Sequence, residues 1–287
     1  MSIIIVGGGD IGAILAERLA AEQKDVVVVE ASEERVRLLR ERADVQVIHG
    51  SGSSPAALRR AGLDDAEMLV AVTESDEVNL VSCLIASKEA VIPTKIARVR
   101  DPDLAEVVQK ILGEDDLDLT INPEQEAAQA LIKILRVPGA VSVLEFSDGR
   151  VQVVSFSLDG PCQAEGMVLA ELKLGPGMAV NIVAISRGGS LLIPDGTTAL
   201  ERGDLIYAAG RPQSLGEFAA LLGKGATQTR RIVVSGGGNV SYYLARALET
   251  EEVSLKIIEV DADRCKFLVE RLKRTVVLQG RGTDPEL

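Results

Sequence analysis

The chain has 287 residues, a length that predicts about two domains, and a formal net charge of −12 at pH 7. Nucleic acid is excluded as the expected partner, because an acidic surface repels phosphate backbones, which are bound by Lys and Arg. The few aromatic side chains (four Phe, three Tyr, no Trp) also offer little surface on which bases could stack. With 46% hydrophobic and 26% charged residues the composition is that of a globular protein, and no apolar run approaches the roughly 18 residues of a membrane span.

The cysteines and the first residues indicate the compartment. Cys83, Cys162 and Cys265 are odd in number and far apart, which favours a reducing cytoplasm over a disulfide framework or a zinc site. The opening apolar run has no basic segment before it and breaks into glycine at Gly7, so it does not resemble a signal peptide. We therefore expect a soluble intracellular protein.

The first part of the chain alternates short β-branched runs with helix-period segments. The runs predicted as strands are 3–6, 26–29, 45–48, 68–72 and 95–99. Asp101-Pro102 and Asn122-Pro123 predict helix starts, because an N-cap residue precedes a proline at the first helical position. This alternation predicts an α/β fold, a Rossmann-like doubly wound parallel sheet that occupies residues 1–124.

From residue 141 the pattern changes to strand-like runs separated by tight turns. Ser147-Asp148-Gly149 lies between runs at 143–146 and 151–156, and Gly188-Gly189 lies between runs at 180–186 and 191–193, so each pair predicts a hairpin. A last strand at 205–209 and a short helix at 215–222 follow. We predict a small α+β domain over residues 140–223 and a linker at 224–229.

The opening of the chain recurs near its end. Residues 3–12 return as 232–241, and residues 50–55 return as 280–285 after a one-residue slip. Residues 230–287 are therefore predicted to be the start of a second copy of the first module. Because this copy stops after three predicted strands, we expect the chain to be a piece of a longer protein.

A glycine motif, Gly7-x-Gly9-x-x-Gly12, lies between the first predicted strand and its helix. Its glycines permit a sharp turn, a close approach of backbone to a pyrophosphate and tight helix–strand packing, and the helix start offers free N–H groups. Glu30 ends the next strand, where a carboxylate accepts hydrogen bonds from ribose hydroxyls and repels a 2′-phosphate. The motif predicts a dinucleotide site that favours NAD(H) over NADP.

The second copy retains only part of this motif. Gly236, Gly238 and Glu259 occupy the corresponding positions, but Ser241 replaces the third glycine. The second loop is another nucleotide site, a vestigial one or the site of a different ligand.

The sequence contains no recognisable catalytic set. His49 is interpreted as a loop residue rather than a general base, and the acids at 115, 116 and 118 as a solvated loop rather than a metal site. No Tyr-x-x-x-Lys pair occurs, and no cysteine has a predicted histidine partner. A dinucleotide site without catalytic residues predicts a nucleotide sensor. The alternative is an NAD-dependent dehydrogenase whose catalytic residues lie beyond residue 287.

The ordered series of motifs resembles the RCK (KTN) family of regulators of potassium channels and transporters, most closely those of Trk-type potassium uptake. The segments that carry the likeness are 7–12, Glu30, 50–55, 68–79, 96–100, 138–140 and 194–204. Together they cover essentially the whole chain.

The resemblance implies a non-catalytic, nucleotide-sensing regulatory subunit that is cytoplasmic and peripheral on the inner face of the cell membrane. It implies a homo-oligomer, a tetrameric ring, that gates a membrane potassium-translocating subunit; a regulator of another channel or exchanger is the alternative. The residues it assigns to NAD(H) or ATP/ADP are Gly7, Gly8, Gly9, Asp10, Ile11, Gly12, Glu30, Thr73, Glu74 and Arg98. Ser51, where many relatives carry aspartate, and Ser241 leave the choice of nucleotide open.

Overall fold

The computed structural model describes residues 2–113, 115–160, 162, 164–172, 174–175, 177–225 and 229–284, with the side chains of 106, 109 and 111 outside the description. The chain divides into two compact units, Met1–Pro123 and Glu124–Leu287. Each helix within the described ranges is too short or too polar to cross a bilayer.

The first unit contains a six-stranded parallel sheet. Its strands are β1 (Ser2–Val6), β2 (Asp25–Glu30), β3 (Gln46–His49), β4 (Met68–Ala71), β5 (Thr94–Arg98) and β6 (Leu119–Ile121). Its helices are α1 (Asp10–Ala21), α2 (Glu33–Arg42), α3 (Pro55–Arg60), α4 (Asp76–Glu89) and α5 (Pro102–Ile111). The strand order β3-β2-β1-β4-β5-β6 reverses between β1 and β4, so a ligand crevice is expected at the carboxyl ends of those two strands. The predicted Rossmann-like fold is confirmed.

Both faces of this sheet are covered, which explains why its strands are almost continuously apolar. In β1, Ile4 and Val6 pack with Leu58 of α3 and Cys83 of α4 on one face. Ile3 and Ile5, on the opposite face, pack with α1 and α2. Alternate residues of one strand therefore enter two separate cores.

The five predicted strands are confirmed to within two residues at each end, but β6 was not predicted. The three residues of β6 are too few to show a period, and Leu119 is exposed at the sheet edge. The preceding acids at 115, 116 and 118 lie in a loop, as interpreted, and two of them are also paired: Asp116 lies 2.6 Å from Lys88 Nζ of α4, and Asp118 accepts the backbone N–H of Lys95 at 2.7 Å. The contact of Asp118, the residue before β6, with Lys95 of β5 holds β6 beside β5.

The second unit combines an antiparallel sheet with the repeated module. Its first elements are α6 (Pro123–Arg136), β7 (Ala140–Phe146), β8 (Val151–Ser157), β9 (Val180–Arg187), β10 (Ser190–Leu192), β11 (Leu205–Gly210) and α7 (Pro212–Leu221), with sheet order β10-β9-β11-β8-β7. Both predicted hairpins are confirmed. Gly188 and Gly189 form a two-residue turn with φ of 55° and 83°, whereas the other loop takes four residues, 147–150.

The repeated module folds as the first three strands of its counterpart. Its elements are β12 (Arg231–Ser235), α8 (Asn239–Leu248), β13 (Ser254–Glu259), α9 (Ala262–Arg271) and β14 (Val276–Gln279), and the three strands form a parallel sheet. Ala128 and Ile132 of α6 are buried against α8. Residues 226–228 of the predicted linker and residue 285 of the repeat lie outside the described residues, and the domain bounds at 124, 140, 223 and 230 stay predictions.

Candidate nucleotide-binding site

The glycine motif turns the chain sharply from β1 into α1. Gly7 has φ of +103°, and a Cβ atom there would lie 2.9 Å from Thr73 N. A Cβ atom at Gly12 would collide with the Gly7 carbonyl oxygen, so the helix crosses the strand closely. Gly9 caps α1 without a side-chain hydrogen bond, which leaves the first N–H groups of the helix without a side-chain acceptor.

Glu30 holds the glycine loop in place from the end of β2. Its side chain is only 6% exposed; Oε2 accepts the N–H of Gly8 at 2.6 Å and Oε1 accepts the N–H of Ser32 at 2.7 Å. A carboxylate oxygen accepts two hydrogen bonds, so each retains capacity for a ligand hydroxyl. Gly8 has no room for a side chain because its Cβ would meet Leu39. Gly8 and Gly12 thus allow the loop to pack closely against Leu39 and against the Gly7 carbonyl.

The loop after β4 is fixed by one buried side chain, Asn79. Its Oδ1 accepts the N–H and the hydroxyl of Thr73 at 2.8 and 2.7 Å, and its Nδ2 donates to the carbonyl oxygens of Thr73 and Arg98. Asn79 is fully buried. The carboxyl ends of β4 and β5 are therefore tied together beside the glycine loop.

A cavity of about 410 Å³ opens at this edge of the sheet. Its lining includes these predicted residues: Gly7, Gly9, Asp10, Ile11, Glu30, Thr73, Glu74 and Arg98. Further lining residues that the sequence did not assign include Arg35, Gly50, Ser51, Gly52, Ser75 and Val78. The structure thus brings residues from the ends of β1 to β5 to a single crevice.

Gly52 and Arg35 illustrate what sequence reasoning missed. A Cβ atom at Gly52 would collide with Val6, and Ser82 donates to the Gly52 carbonyl at 3.0 Å, so the loop after β3 lies close to the cavity. Arg35 Nη2 donates to Glu74 Oε1 at 2.9 Å, and this hydrogen bond and charge raise the pKa of Arg35. An arginine also stands five residues after the acid in the second copy, a signal that could have indicated Arg35.

In the second glycine loop a carboxylate again accepts a backbone N–H of the loop, as Glu30 does in the first. Gly236 has φ of +99°, and Glu259 accepts the N–H groups of Asp261 at 2.9 Å and Gly237 at 2.5 Å, which hold its pKa below the usual range. Ser241, in place of the third glycine, donates its hydroxyl to the Gly236 carbonyl at 2.5 Å. A Cβ atom at Gly238 would meet open space. The second turn is therefore intact without the third glycine.

A guanidinium of the protein itself lies over this second loop. Arg264 Nε donates to the Gly237 carbonyl at 2.6 Å and Nη2 donates to Asn239 Oδ1 at 2.8 Å. Burial lowers the pKa of Arg264, and its guanidinium also stacks 4.2 Å from the Phe267 ring centroid.

The first crevice presents groups that can bind a nucleotide. It offers N–H donors, a fixed carboxylate and two arginines, while His49 Nε2 lies 3.0 Å from the Ala31 carbonyl. In the part of the chain that the structure describes, no group of three or more His, Cys, Asp and Glu side chains is arranged to hold a metal.

Comparison with known proteins gives two family matches. The TrkA-N domain matches residues 3–123 and again 232–287, and the TrkA-C domain matches residues 153–223. Among solved structures, the GsuK channel bound to NAD is similar with a TM-score of 0.67 at 20% identity, over 99% of this chain and 50% of that one. The human SLO3 gating ring is similar with a TM-score of 0.52 at 13% identity, over 98% and 64% of the two chains. These likenesses support the fold.

Curated relatives extend over the whole chain. Trk system potassium uptake protein TrkA is 35% identical in Azorhizobium caulinodans and 38% identical in Halomonas elongata, and the chain spans 64% and 63% of their lengths. A TrkA homolog 1 of Methanosarcina mazei is 33% identical, and 71% of it is covered. The chain belongs to the TrkA family, with a TrkA-N domain at its start, a TrkA-C domain after it and TrkA-N sequence again at its end.

Proposed function

We propose that the chain is the nucleotide-sensing part of a non-catalytic regulatory subunit of a Trk-type potassium uptake system. The observation that carries the proposal is the crevice at the carboxyl ends of β1 and β4, where the uncapped start of α1 and the buried Glu30 carboxylate line one cavity. A helix start without a side-chain acceptor suits a diphosphate, and a fixed carboxylate suits a ribose diol.

NAD or NADH is the proposed ligand, with ATP or ADP as the alternative. Gly7, Gly9, Asp10 and Ile11 would hold the diphosphate, Glu30 the adenosine ribose, and Thr73 and Arg98 the distal half, with Glu74 in the lining beside them. Glu30 disfavours a 2′-phosphate by charge repulsion. The NAD-bound GsuK channel, which shares this fold, supports the choice of a nicotinamide dinucleotide.

The partner proposed for the complete protein is a membrane potassium-translocating subunit of the TrkH/TrkG kind. The regulator would be cytoplasmic, peripheral on the inner membrane face, and assembled as a tetrameric ring. A nucleotide biases such a ring only if it binds two ring conformations with different affinities. Occupancy, rather than turnover, would then be the signal.

Calorimetry of NAD, NADH, NADP, ATP and ADP tests this proposal. We expect Glu30→Gln to weaken NAD binding about tenfold and to narrow the preference for NAD over NADP, because a neutral amide neither repels a phosphate nor accepts as strongly. Glu34→Gln, at an exposed position in the first turn of α2, is the matched control and should change neither.

Two outcomes would contradict the proposal. One is equal affinity for NAD and NADP that Glu30→Gln leaves unchanged. The other is NADH oxidation by the protein with a panel of metabolites, measured by absorbance, which would favour the dehydrogenase alternative. For the partner, the full-length protein should co-purify from membranes with a potassium translocator.

A further inference from the structure

An ion pair spans the mouth of the nucleotide crevice. Arg35, in the first turn of α2, donates from Nη2 to Glu74 Oε1 at 2.9 Å, and Glu74 follows β4. A Cβ atom at Gly9 would lie 3.6 Å from Arg35 Nη1, so the guanidinium also lies beside the glycine loop. Arg35 and Glu74 both line the 410 Å³ cavity and a neighbouring cavity of about 320 Å³. The pair therefore stands where the two cavities adjoin.

The described lining of the crevice has more carboxylates than cations, whether this pair is open or closed. Among its described lining residues, the cations are Arg35 and Arg98, and the carboxylates are those of Asp10, Glu30 and Glu74. A ligand diphosphate adds at least two negative charges close to Asp10 at the start of α1. While the Arg35 guanidinium is paired with Glu74, it does not offset the negative charge of the ligand.

Breaking the Arg35–Glu74 ion pair also costs little free energy. The Arg35 and Glu74 side chains are 44% and 72% exposed, and an exposed ion pair changes an equilibrium by roughly fivefold or less. A diphosphate that accepts from the same guanidinium with two oxygens provides a stronger, bidentate partner. The ligand should therefore win the competition for Arg35.

The second copy shows the alternative placement of the same side chain. Arg264 stands at the position that corresponds to Arg35, 229 residues later. Its guanidinium lies over the glycine loop, where it donates to the Gly237 carbonyl at 2.6 Å and to Asn239 Oδ1 at 2.8 Å. The arginine at this position of the module can therefore either pair with an acid, as Arg35 does with Glu74, or lie on the glycine loop, as Arg264 does.

We propose that Arg35 is a phosphate-binding residue that exchanges the Glu74 carboxylate for the diphosphate of the nucleotide, so that Glu74 competes with the ligand. This inference rests on the proposed nucleotide site and deepens it. Both side chains are at the surface, so we expect substitutions at the two positions to leave the fold intact.

Binding of adenosine, AMP, ADP and NAD to four proteins tests the exchange: wild type, Arg35→Gln, Glu74→Gln and the double variant. Calorimetry measures the nucleotides, and NMR titration measures adenosine in the millimolar range. We expect Arg35→Gln to weaken ADP and NAD about tenfold and to change adenosine less than twofold. Glu74→Gln should strengthen ADP about threefold, a gain that disappears in the Arg35→Gln background.

The controls come from the same helix. Arg37 and Glu33 form an exposed ion pair along α2, so Arg37→Gln and Glu33→Gln make the same charge changes and should alter no affinity. Circular dichroism should show that all variants are folded.

Four results would overturn the exchange. Arg35→Gln could weaken adenosine as much as ADP, Glu74→Gln could weaken ADP, or the two substitutions could be additive. If wild type binds ADP and NAD but Arg35→Gln binds them equally well, the exchange alone is refuted. If wild type binds none of the four compounds, the proposed nucleotide site fails as well, and the inference fails with it.

Discussion

Asn79 shows how one buried amide can position a binding site that it does not line. Its side chain pairs with the N–H, hydroxyl and carbonyl of Thr73 and with the Arg98 carbonyl. Both Thr73 and Arg98 line the cavity. The side chain therefore determines where two neighbouring strand ends present their groups.

We expect Asn79→Ala to lower the free energy of unfolding of the first unit by about 2 kcal/mol, because it leaves buried backbone groups without this partner. NAD binding should weaken as the loop after β4 loses its fixed shape. Urea unfolding followed by circular dichroism and calorimetry measure the two effects. Asn181→Ala, at an exposed position in β9, is the control. Unchanged NAD affinity in a destabilised Asn79→Ala protein would show that the loop keeps its shape without Asn79.

Asp204 is a fully buried carboxylate that accepts from Arg187 Nε and Nη2, each at 2.8 Å. Burial alone would raise its pKa, but the Arg187 hydrogen bonds and the Glu201 N–H outweigh burial and hold the pKa below its ordinary value of 3.8. A carboxyl whose folded pKa is depressed stabilises the fold above its unfolded pKa. That contribution is lost as the pH falls through the lower, folded pKa.

Asp204→Asn should therefore lower the free energy of unfolding by about 2 kcal/mol at neutral pH, because Arg187 loses its charged partner. The difference from wild type should begin to shrink as the pH falls below about 4, where the carboxyl of the unfolded state protonates, and should continue to shrink through the lower pKa of the folded state. Urea unfolding across that pH range is the measurement, with Asp159→Asn at an exposed position as the control. A difference that stays constant with pH would contradict an ionised Asp204.

Helix α6 is amphipathic, and its apolar face is divided between core and solvent. Ala128 and Ile132 are buried with Tyr242 and Leu244 of α8, whereas Leu131 is 42% exposed. Ile132 belongs to a core that the helix shares with the repeated module.

We expect Ile132→Ala to lower the free energy of unfolding of the second unit by about 3 kcal/mol, since it removes a buried side chain and leaves a cavity. Leu131→Ala, one position away on the exposed side, should cost far less. Thermal unfolding and amide exchange of α8 compare the two variants. Equal losses would mean that α6 does not depend on this face for its packing.

Because the chain divides into two compact units, NAD bound at the first glycine loop should stabilise the first unit. NAD at a hundredfold excess over its Kd should stabilise the first unit by about 2.7 kcal/mol, because it binds the folded state alone. Hydrogen exchange should slow most at residues 7–12, 50–52 and 73–75, and Glu30→Gln should reduce that protection. Protection only in the second unit would place the ligand away from the first glycine loop.

The amino-acid order by itself determined five of the six strands of the first sheet, the glycine turn, Glu30 and the repeat. These depend on hydrophobic period and turn chemistry, which neighbouring residues encode. It did not reveal β6, whose three residues are too few to show a period.

Only the tertiary structure decided which distant residues complete the crevice. Arg35 meets Glu74, and Asn79 meets Thr73 and Arg98, because the strand order brings the carboxyl ends of β2, β1, β4 and β5 to one edge. Arg264 lies on its own glycine loop for a similar reason, since that contact joins residues from the starts of two helices. Such pairings follow from strand order and side-chain reach, which no local sequence period records.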